Sequence, residues 1–280
     1  MKTIDVREVT QAVKRLVMEA NYFLPKDVLA ALETSQKKEK WLLATDTLGK
    51  IVENAKIAER DLVPMCQDTG MVVAFVELGQ EVHITGGLLE EAIQEGIRQG
   101  YAEGYLRKSV VEDPLQRKNT GDNTPGVIHY QLKAGEELKI MVAAKGFGSE
   151  NMSRLKMLKP SEGLQGVKDF ILETVELAGP NACPPMVVGV GIGGTFDKCT
   201  LLAKTALMRP LDETNPDPFY QELEEELLQT INSLGIGPQG FGGATTALKV
   251  SIETFPTHIA GLPVAVNINC HATRHKEVVL

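Results

Sequence analysis

No stretch of this sequence approaches ~20 consecutive apolar residues, so nothing in it reads as a membrane span. Four cysteines among 280 residues are too few for a disulfide framework. The N-terminal Met1-Lys2-Thr3-Ile4-Asp5-Val6-Arg7 alternates charged with apolar residues and lacks the apolar core of a secretory signal. Basic residues are also in deficit. Lys and Arg total 29 against 37 Asp and Glu, and the formal net charge of -8 argues against nucleic acid or a membrane surface as partner. An acidic substrate stays possible, because a local basic pocket can sit in an acidic surface. No repeat, low-complexity tract or linker interrupts the chain. These absences predict a cytoplasmic protein with reduced thiols.

What is present is ordinary globular material, 43% hydrophobic and 24% charged. Val6, Val9, Val13, Leu16, Val17 and Ala20 recur at helical spacing, and helices are also predicted around 26–36, 39–60, 88–103, 161–178, 196–208 and 217–233. The 39–60 helix carries Trp41, Leu42, Ala44, Leu48, Ile51, Val52, Ala55 and Ile57 as its apolar residues. Strands are predicted at 71–76, 186–192, 246–255 and 262–269, and those at 127–133 and 137–144 read as a hairpin across Lys133-Ala134-Gly135-Glu136. The mixture predicts an α/β (α+β) fold, a mixed β-sheet with packed helices, as a single domain over 1–280.

Chemistry concentrates at the cysteines. Cys66 lies in Pro-Met-Cys-Gln-Asp-Thr-Gly, Cys183 in Asn-Ala-Cys-Pro-Pro and Cys270 in Asn-Ile-Asn-Cys-His-Ala, each at the end of an element where a side chain can face a pocket. Cys199, in Phe-Asp-Lys-Cys-Thr on a predicted helix, reads as a small core residue. None of the first three has a neighbour at ribbon or ferredoxin spacing, so a shared metal site and three separate structural thiols both remain open. Three thiolates would suit zinc or an iron–sulfur cluster. Gly189-Val190-Gly191-Ile192-Gly193-Gly194 departs from the dinucleotide fingerprint at its last spacing and reads instead as close backbone packing near Cys183. His271 and His275 have the i, i+4 spacing of a helical metal pair, yet Arg274 and Lys276 beside them read as a solvated face. His258 falls in a loop between two predicted strands. Arg98, Arg107, Lys108, Arg117 and Lys118 are either carboxylate clamps or surface charge.

Five segments together carry a resemblance: Cys-Gln-Asp-Thr-Gly at 66–70, Asn-Thr-Gly-Asp-Asn-Thr-Pro at 119–125, Lys-Gly-Phe-Gly-Ser-Glu-Asn at 145–151, Gly-Ile-Gly-Gly-Thr at 191–195 and His-Ile-Ala-Gly-Leu-Pro-Val-Ala-Val-Asn at 258–267. They resemble the class I, iron–sulfur-dependent fumarate hydratases, and the chain looks like the alpha subunit of the two-subunit form or of its relative, L(+)-tartrate dehydratase. The resemblance implies a [4Fe-4S] cluster with three Cys ligands, Cys66, Cys183 and Cys270, and one open iron, with Cys199 no ligand. It also implies a dicarboxylate pocket lined by Gln67, Asp68, Arg107, Gly148 and His258, and reversible hydration of fumarate to (S)-malate. Asp68 and His258 are then the catalytic candidates, and Gln67, Arg107 and Gly148 the substrate-binding ones. Dehydration of L(+)-tartrate to oxaloacetate is the alternative reaction.

Single-chain relatives carry further pocket groups, a threonine base among them, in a second, C-terminal domain. This sequence ends ten residues after Cys270, so a separate beta subunit, in an α2β2 assembly, is expected to complete the site. Two other classes compete: a non-catalytic metal-binding module with fully liganded metal, and an NAD-dependent oxidoreductase suggested only by Gly189 to Gly194.

Overall fold

The computed structural model describes residues 2–280. In chain order the first half holds β1 (Lys2–Asp5), α1 (Val6–Tyr22), α2 (Lys26–Lys38), α3 (Leu42–Asp61), β2 (Met71–Gly79), β3 (Val82–Thr85), α4 (Leu89–Glu103), β4 (Val127–Lys133) and β5 (Leu138–Lys145). The second half holds α5 (Phe147–Glu150), β6 (Arg154–Leu158), α6 (Gly163–Ala178), β7 (Met186–Gly193), α7 (Phe196–Ala206), α8 (Pro218–Ser233), β8 (Ala247–Phe255), β9 (Leu262–Asn269) and β10 (His275–Val279). This is the mixed α/β class read from the sequence. Where the sequence treats 1–280 as one domain, the described residues form two compact units within it. One comprises residues 2–24, Ala55–Phe147 and Arg274–Leu280, and the other Pro25–Asn54 and Gly148–Thr273.

The first unit is built on a four-stranded sheet ordered β10-β5-β2-β4, with a two-stranded parallel pair, β1 and β3, beside α1 and α4. Asp5 starts α1 by accepting a hydrogen bond from the Arg7 backbone N–H at 2.9 Å, satisfying a donor that the helix itself leaves open. Val9, Val13, Leu16 and Val17 then form one buried stripe, packed with Ile93, Ile97 and Tyr101 of α4. The two helices approach closely because α4 presents Gly96 and Gly100. A methyl group at Gly96 would lie 2.7 Å from both the Thr10 carbonyl oxygen and the Val13 Cβ. Under the helices lie Val72, Ala74 and Val76 of β2 and Leu138, Ile140 and Val142 of β5. Burying each such aliphatic side chain is worth about 1.5–3 kcal/mol against exposure.

The β4–β5 hairpin read from the sequence does not form. β2 runs between the two strands, parallel to β4 and antiparallel to β5. Its C-terminal end enters the 133–137 turn, where the Gly79 N–H donates to the Glu137 carbonyl at 2.9 Å and the Glu81 N–H to that of Gly135 at 3.0 Å. A side chain at Gly79 would lie 2.5 Å from the Gly135 carbonyl oxygen, so glycine is what allows the insertion.

The second unit is built on a sheet ordered β6-β9-β7-β8, with β7 parallel to β8 and antiparallel to β9. Its core joins Val188 and Val190 of β7, Val250 and Ile252 of β8 and Val264, Val266 and Ile268 of β9 to Phe170, Ile171 and Val175 of α6 and Leu223, Leu227 and Ile231 of α8. Asp217 caps α8 by accepting the Phe219 N–H at 2.9 Å, with Pro218 at the first helical position. Gly189 and Gly191 pack β7 against α7. A methyl group at Gly189 would sit 2.2 Å from the Ala203 carbonyl oxygen, and one at Gly191 would sit 2.1 Å from that of Cys199. The packing partner is therefore α7. Within α3, Ala44, Leu48, Val52, Ala55 and Ala58 are buried, whereas Leu42 is 81% exposed, and Trp41, read from the sequence as part of the same helix, lies just before it and is 57% exposed. No described helix is long and apolar enough to cross a membrane.

Candidate functional site

The 66–70 loop, in the first unit, is fixed from behind by buried polar groups. Gly70 has φ +79°, and a Cβ there would come within 2.8 Å of the backbone at Ala144 and Lys145, so the turn into β2 demands glycine. The Tyr101 hydroxyl lies 2.6 Å from the Thr69 carbonyl oxygen and 2.9 Å from that of Gly70. Burial pushes this phenol above its ordinary pKa range, which keeps it a donor. Asn123 donates to the Gly70 carbonyl at 3.2 Å and accepts from the Ser109 and Val110 N–H groups at 2.6 and 3.1 Å. The Thr69 hydroxyl donates to the Arg107 carbonyl at 3.0 Å, tying the Arg107 segment to the same loop. The Asn-Thr-Gly-Asp-Asn-Thr-Pro motif thus supports this loop. Its Asp122 accepts from Arg98 at 2.8 Å and from the Thr124 hydroxyl at 2.7 Å. Burial pushes the Asp122 carboxyl up, but the Arg98 and Thr124 donors outweigh it and hold the group at about 2.

Asp68 sits half-buried in this cradle. Its Oδ1 accepts from the Gly70 N–H at 2.9 Å and its Oδ2 from the Phe147 N–H at 2.8 Å, so both oxygens are oriented by main chain. A Cβ at Gly146 would lie 3.2 Å from Oδ2, which accounts for the glycine in Lys-Gly-Phe-Gly. Gln67 is exposed, with its Oε1 accepting from the Cys66 thiol at 3.4 Å. Arg107 is exposed as well. Within this unit, then, the fold brings Cys66, Gln67, Asp68 and the Arg107 backbone together. Sequence reasoning missed Arg274. It is not on a solvated face but 4% exposed, with its guanidinium donating to the Asp68 main-chain oxygen. His275 is on strand β10, so the helical spacing read for His271 and His275 does not exist.

The second unit holds the remaining candidates. Cys183 is exposed in a left-handed conformation, φ 52°, at the end of the Gly179–Ala182 turn. Cys270 is half-buried directly after β9. Gly148 is exposed in α5, and a methyl group there would lie 3.8 Å from the Asn181 carbonyl oxygen, two residues before Cys183. The α5 turn is anchored through Glu150, which pairs with Lys204 and accepts from Asn267 at 2.7 Å. His258 is exposed between β8 and β9. Its Nδ1 accepts from the Ala260 N–H at 3.2 Å, which in the neutral ring puts the proton on Nε2.

The thiols sort by environment. Cys199 is fully buried, its thiol donates to the Gly191 carbonyl at 3.1 Å, and burial pushes it up to about 12, so it cannot serve as a thiolate ligand. None of the four cysteines is in a disulfide. Cys66, Cys183 and Cys270 all reach solvent, and their donor chemistry fits a soft metal or an iron–sulfur group. Among the described residues no group of three or more His, Cys, Asp and Glu side chains is gathered as a metal site. Of the basic residues, Arg98 is engaged by Glu95 and Asp122, and Lys118 by Glu112 at 3.1 Å.

A family model described as Fumarate hydratase (Fumerase) matches residues 10–279. A protein of Methanocaldococcus jannaschii named "Putative L(+)-tartrate dehydratase subunit alpha" is 46% identical over 273 residues, covering 95% of each chain. The L(+)-tartrate dehydratase subunit alpha of Escherichia coli strain UTI89 is 34% identical over 280 residues, covering 96% of this chain and 89% of that one.

Proposed function

The chain belongs to the fumarate hydratase (Fumerase) family and is a lyase, and from that premise we propose that it is the alpha subunit of an enzyme that reversibly hydrates fumarate to (S)-malate. The observation that carries this reading is the Cys66–Gly70 loop, which presents a thiol, a carboxamide and a carboxylate on one short segment braced by Tyr101, Asn123 and Arg274.

In the dehydration direction a proton leaves C3 of malate and the C2 hydroxyl leaves as water; hydration reverses both. Arg107 is suited to take a substrate carboxylate in a two-pronged hydrogen bond, with the Gln67 amide as a second donor. Each Asp68 oxygen keeps a lone pair beyond its main-chain bond, so the carboxylate can orient or assist the base that handles the C3 proton. The His258 Nε2–H is a donor for a substrate oxygen, and the bare Gly148 backbone admits close approach. Cys66, Cys183 and Cys270 are the residues that would hold a [4Fe-4S] cluster. When bound with one iron lacking a protein ligand, it supplies Lewis-acid polarisation of a substrate oxygen. Thiolate ligands call for a compartment that keeps cysteines reduced, which is the ground for a cytoplasmic placement.

A separate beta subunit would supply the remaining acid–base groups, in an α2β2 assembly. The relatives' designation as alpha subunits supports the beta partner. Their names also favour a second reading, L(+)-tartrate dehydration to oxaloacetate, on the same residues. The test is an anaerobic assay of the chain coexpressed with its beta partner on both acids. Malate formed from fumarate is the expected result; oxaloacetate from tartrate with fumarate untouched would replace the first reading by the second.

A further inference from the structure

Three segments of the second unit meet at the two peptide oxygens that follow the Cys183 side chain. The Cys183 carbonyl receives the His271 backbone N–H at 3.2 Å and contacts the His271 ring Nδ1 at 3.0 Å. The next oxygen, that of Pro184, receives both the Gln239 backbone N–H at 2.8 Å and its side-chain Nε2 at 3.0 Å. Gln239 Nε2 also lies 3.1 Å from His271 Nδ1, so the two side chains are in contact. A carbonyl can only accept, so the contact with Cys183 places the ring proton on Nδ1 and leaves the Gln239 amide protons for Pro184.

The Cys183 loop needs such bracing. Cys183 and Gln239 both hold left-handed conformations, φ 52° and 55°, which non-glycine residues keep only where their surroundings over-determine them. Pro184 and Pro185 have no N–H to donate, so between the Cys183 N–H, which donates to the Pro180 carbonyl at 3.0 Å, and the Met186 N–H, which donates to that of Thr246 at 2.8 Å, the loop's main chain offers only carbonyls. The Pro238–Gly240 turn that supplies Gln239 sits tightly on the other side of the loop, since a methyl group at Gly240 would lie 2.4 Å from the Pro180 Cβ. His271 directly follows Cys270, so the bond it makes joins the two cysteine-bearing segments through one residue.

We propose that His271 and Gln239 are positioning residues that clamp the Cys183 loop to the Cys270 segment and so fix the mutual placement of these two thiols for capture of an iron–sulfur cluster. The proposal rests on Cys183 and Cys270 being cluster ligands, as proposed above. Outer groups of this kind hold ligands in the geometry the metal requires without touching it, and their loss characteristically weakens retention.

The test uses the full chain, reconstituted anaerobically with iron and sulfide, as wild type and as His271→Ala, Gln239→Ala and His271→Asn. Iron and labile sulfide per chain are measured first, then the rate at which visible absorbance is lost to an iron chelator. Circular dichroism melting of each cluster-free chain reports folding separately. His271→Ala and Gln239→Ala are expected to lose cluster roughly 10-fold faster or more while the cluster-free chains melt as wild type does. His271→Asn, whose amide N–H can stand where Nδ1–H stands, should recover most of the retention. If His271→Ala fails to fold, Gln239→Ala, which removes only the side-chain bonds at a surface turn, decides. Chelator rates unchanged in well-folded variants would overturn the clamp alone. A wild-type chain that takes up no cluster would overturn the cofactor reading and the clamp with it.

Discussion

The cysteines show how far a single residue's surroundings decide its chemistry. Cys199 was legible in the sequence as a core residue because it lies on a predicted helix rather than at the end of an element, and the structure adds the reason it stays inert: a buried thiol donating to the Gly191 carbonyl. Its pKa is raised to about 12, so in the folded state it remains protonated across the range where an unfolded thiol, near ~8.5, ionises. Stability from this site is therefore complete below the unfolded value and declines as pH rises from there toward 12. Iodoacetamide applied to the native, cluster-free chain at pH 8 should modify Cys66, Cys183 and Cys270 and spare Cys199 until denaturant is added, as read by peptide mass spectrometry. Asn123 is the opposite case. A polar residue in a turn-rich stretch looks like surface, yet it is fully buried and makes three hydrogen bonds. Asn123→Ala strands two N–H donors and one carbonyl, and should cost about 2–4 kcal/mol in urea unfolding. Since the Gly70 carbonyl is one of those partners, activity of the assembled enzyme should fall by more than the lost stability explains. Arg274 escaped notice for a related reason: its partner is a main-chain oxygen two hundred residues away, and no local pattern announces that.

Elements were legible where their apolar spacing is local, and not where their pairing is distant. The stripe of α1 could be read from spacing alone. The β4–β5 pair has every local mark of a hairpin, but β2 pairs with both strands between them and its Gly79 enters the turn. Strand β10 is short, partly exposed and rich in charge, so its pairing with β5 carries no pattern of its own. The 189–194 glycines show the same limit. They can be seen to require close approach, but the partner, α7, is visible only in three dimensions. Gly191→Ala tests that contact. Its methyl group would meet the Cys199 carbonyl oxygen at 2.1 Å and the Ala203 nitrogen at 2.6 Å, both backbone atoms that cannot rotate away. Separation of α7 from β7 should cost about 1–3 kcal/mol or more, seen as a lower urea midpoint with an unchanged slope. A midpoint equal to wild type would mean that α7 packs more loosely than this contact requires.

At the scale of the whole molecule the question is how complete a catalyst the chain is. Its formal net charge of -8 opposes a dianionic substrate, so capture must come from local donors. On the proposed reading those in the first unit are Arg107 and Gln67, and one guanidinium could grip only one of fumarate's two carboxylates. Asp68 has both oxygens already engaged by main-chain N–H groups, which suits orientation of a base better than sole responsibility for the C3 proton. On the proposed reading a second cationic group and the principal base would therefore come from a beta subunit, a reading supported by relatives designated as alpha subunits. The expected outcome is that the purified chain, reconstituted anaerobically, forms no malate from fumarate. Adding the beta partner should restore turnover, and Asp68→Asn in the assembled enzyme should lower kcat by about 10²–10⁴-fold, the range for a group that assists proton transfer. Arg107→Ala should instead act mainly through KM, because it removes a carboxylate contact made in ground and transition state alike. Robust malate formation by this chain alone would show that the missing base is among its own residues, with His258 the first to be replaced in search of it.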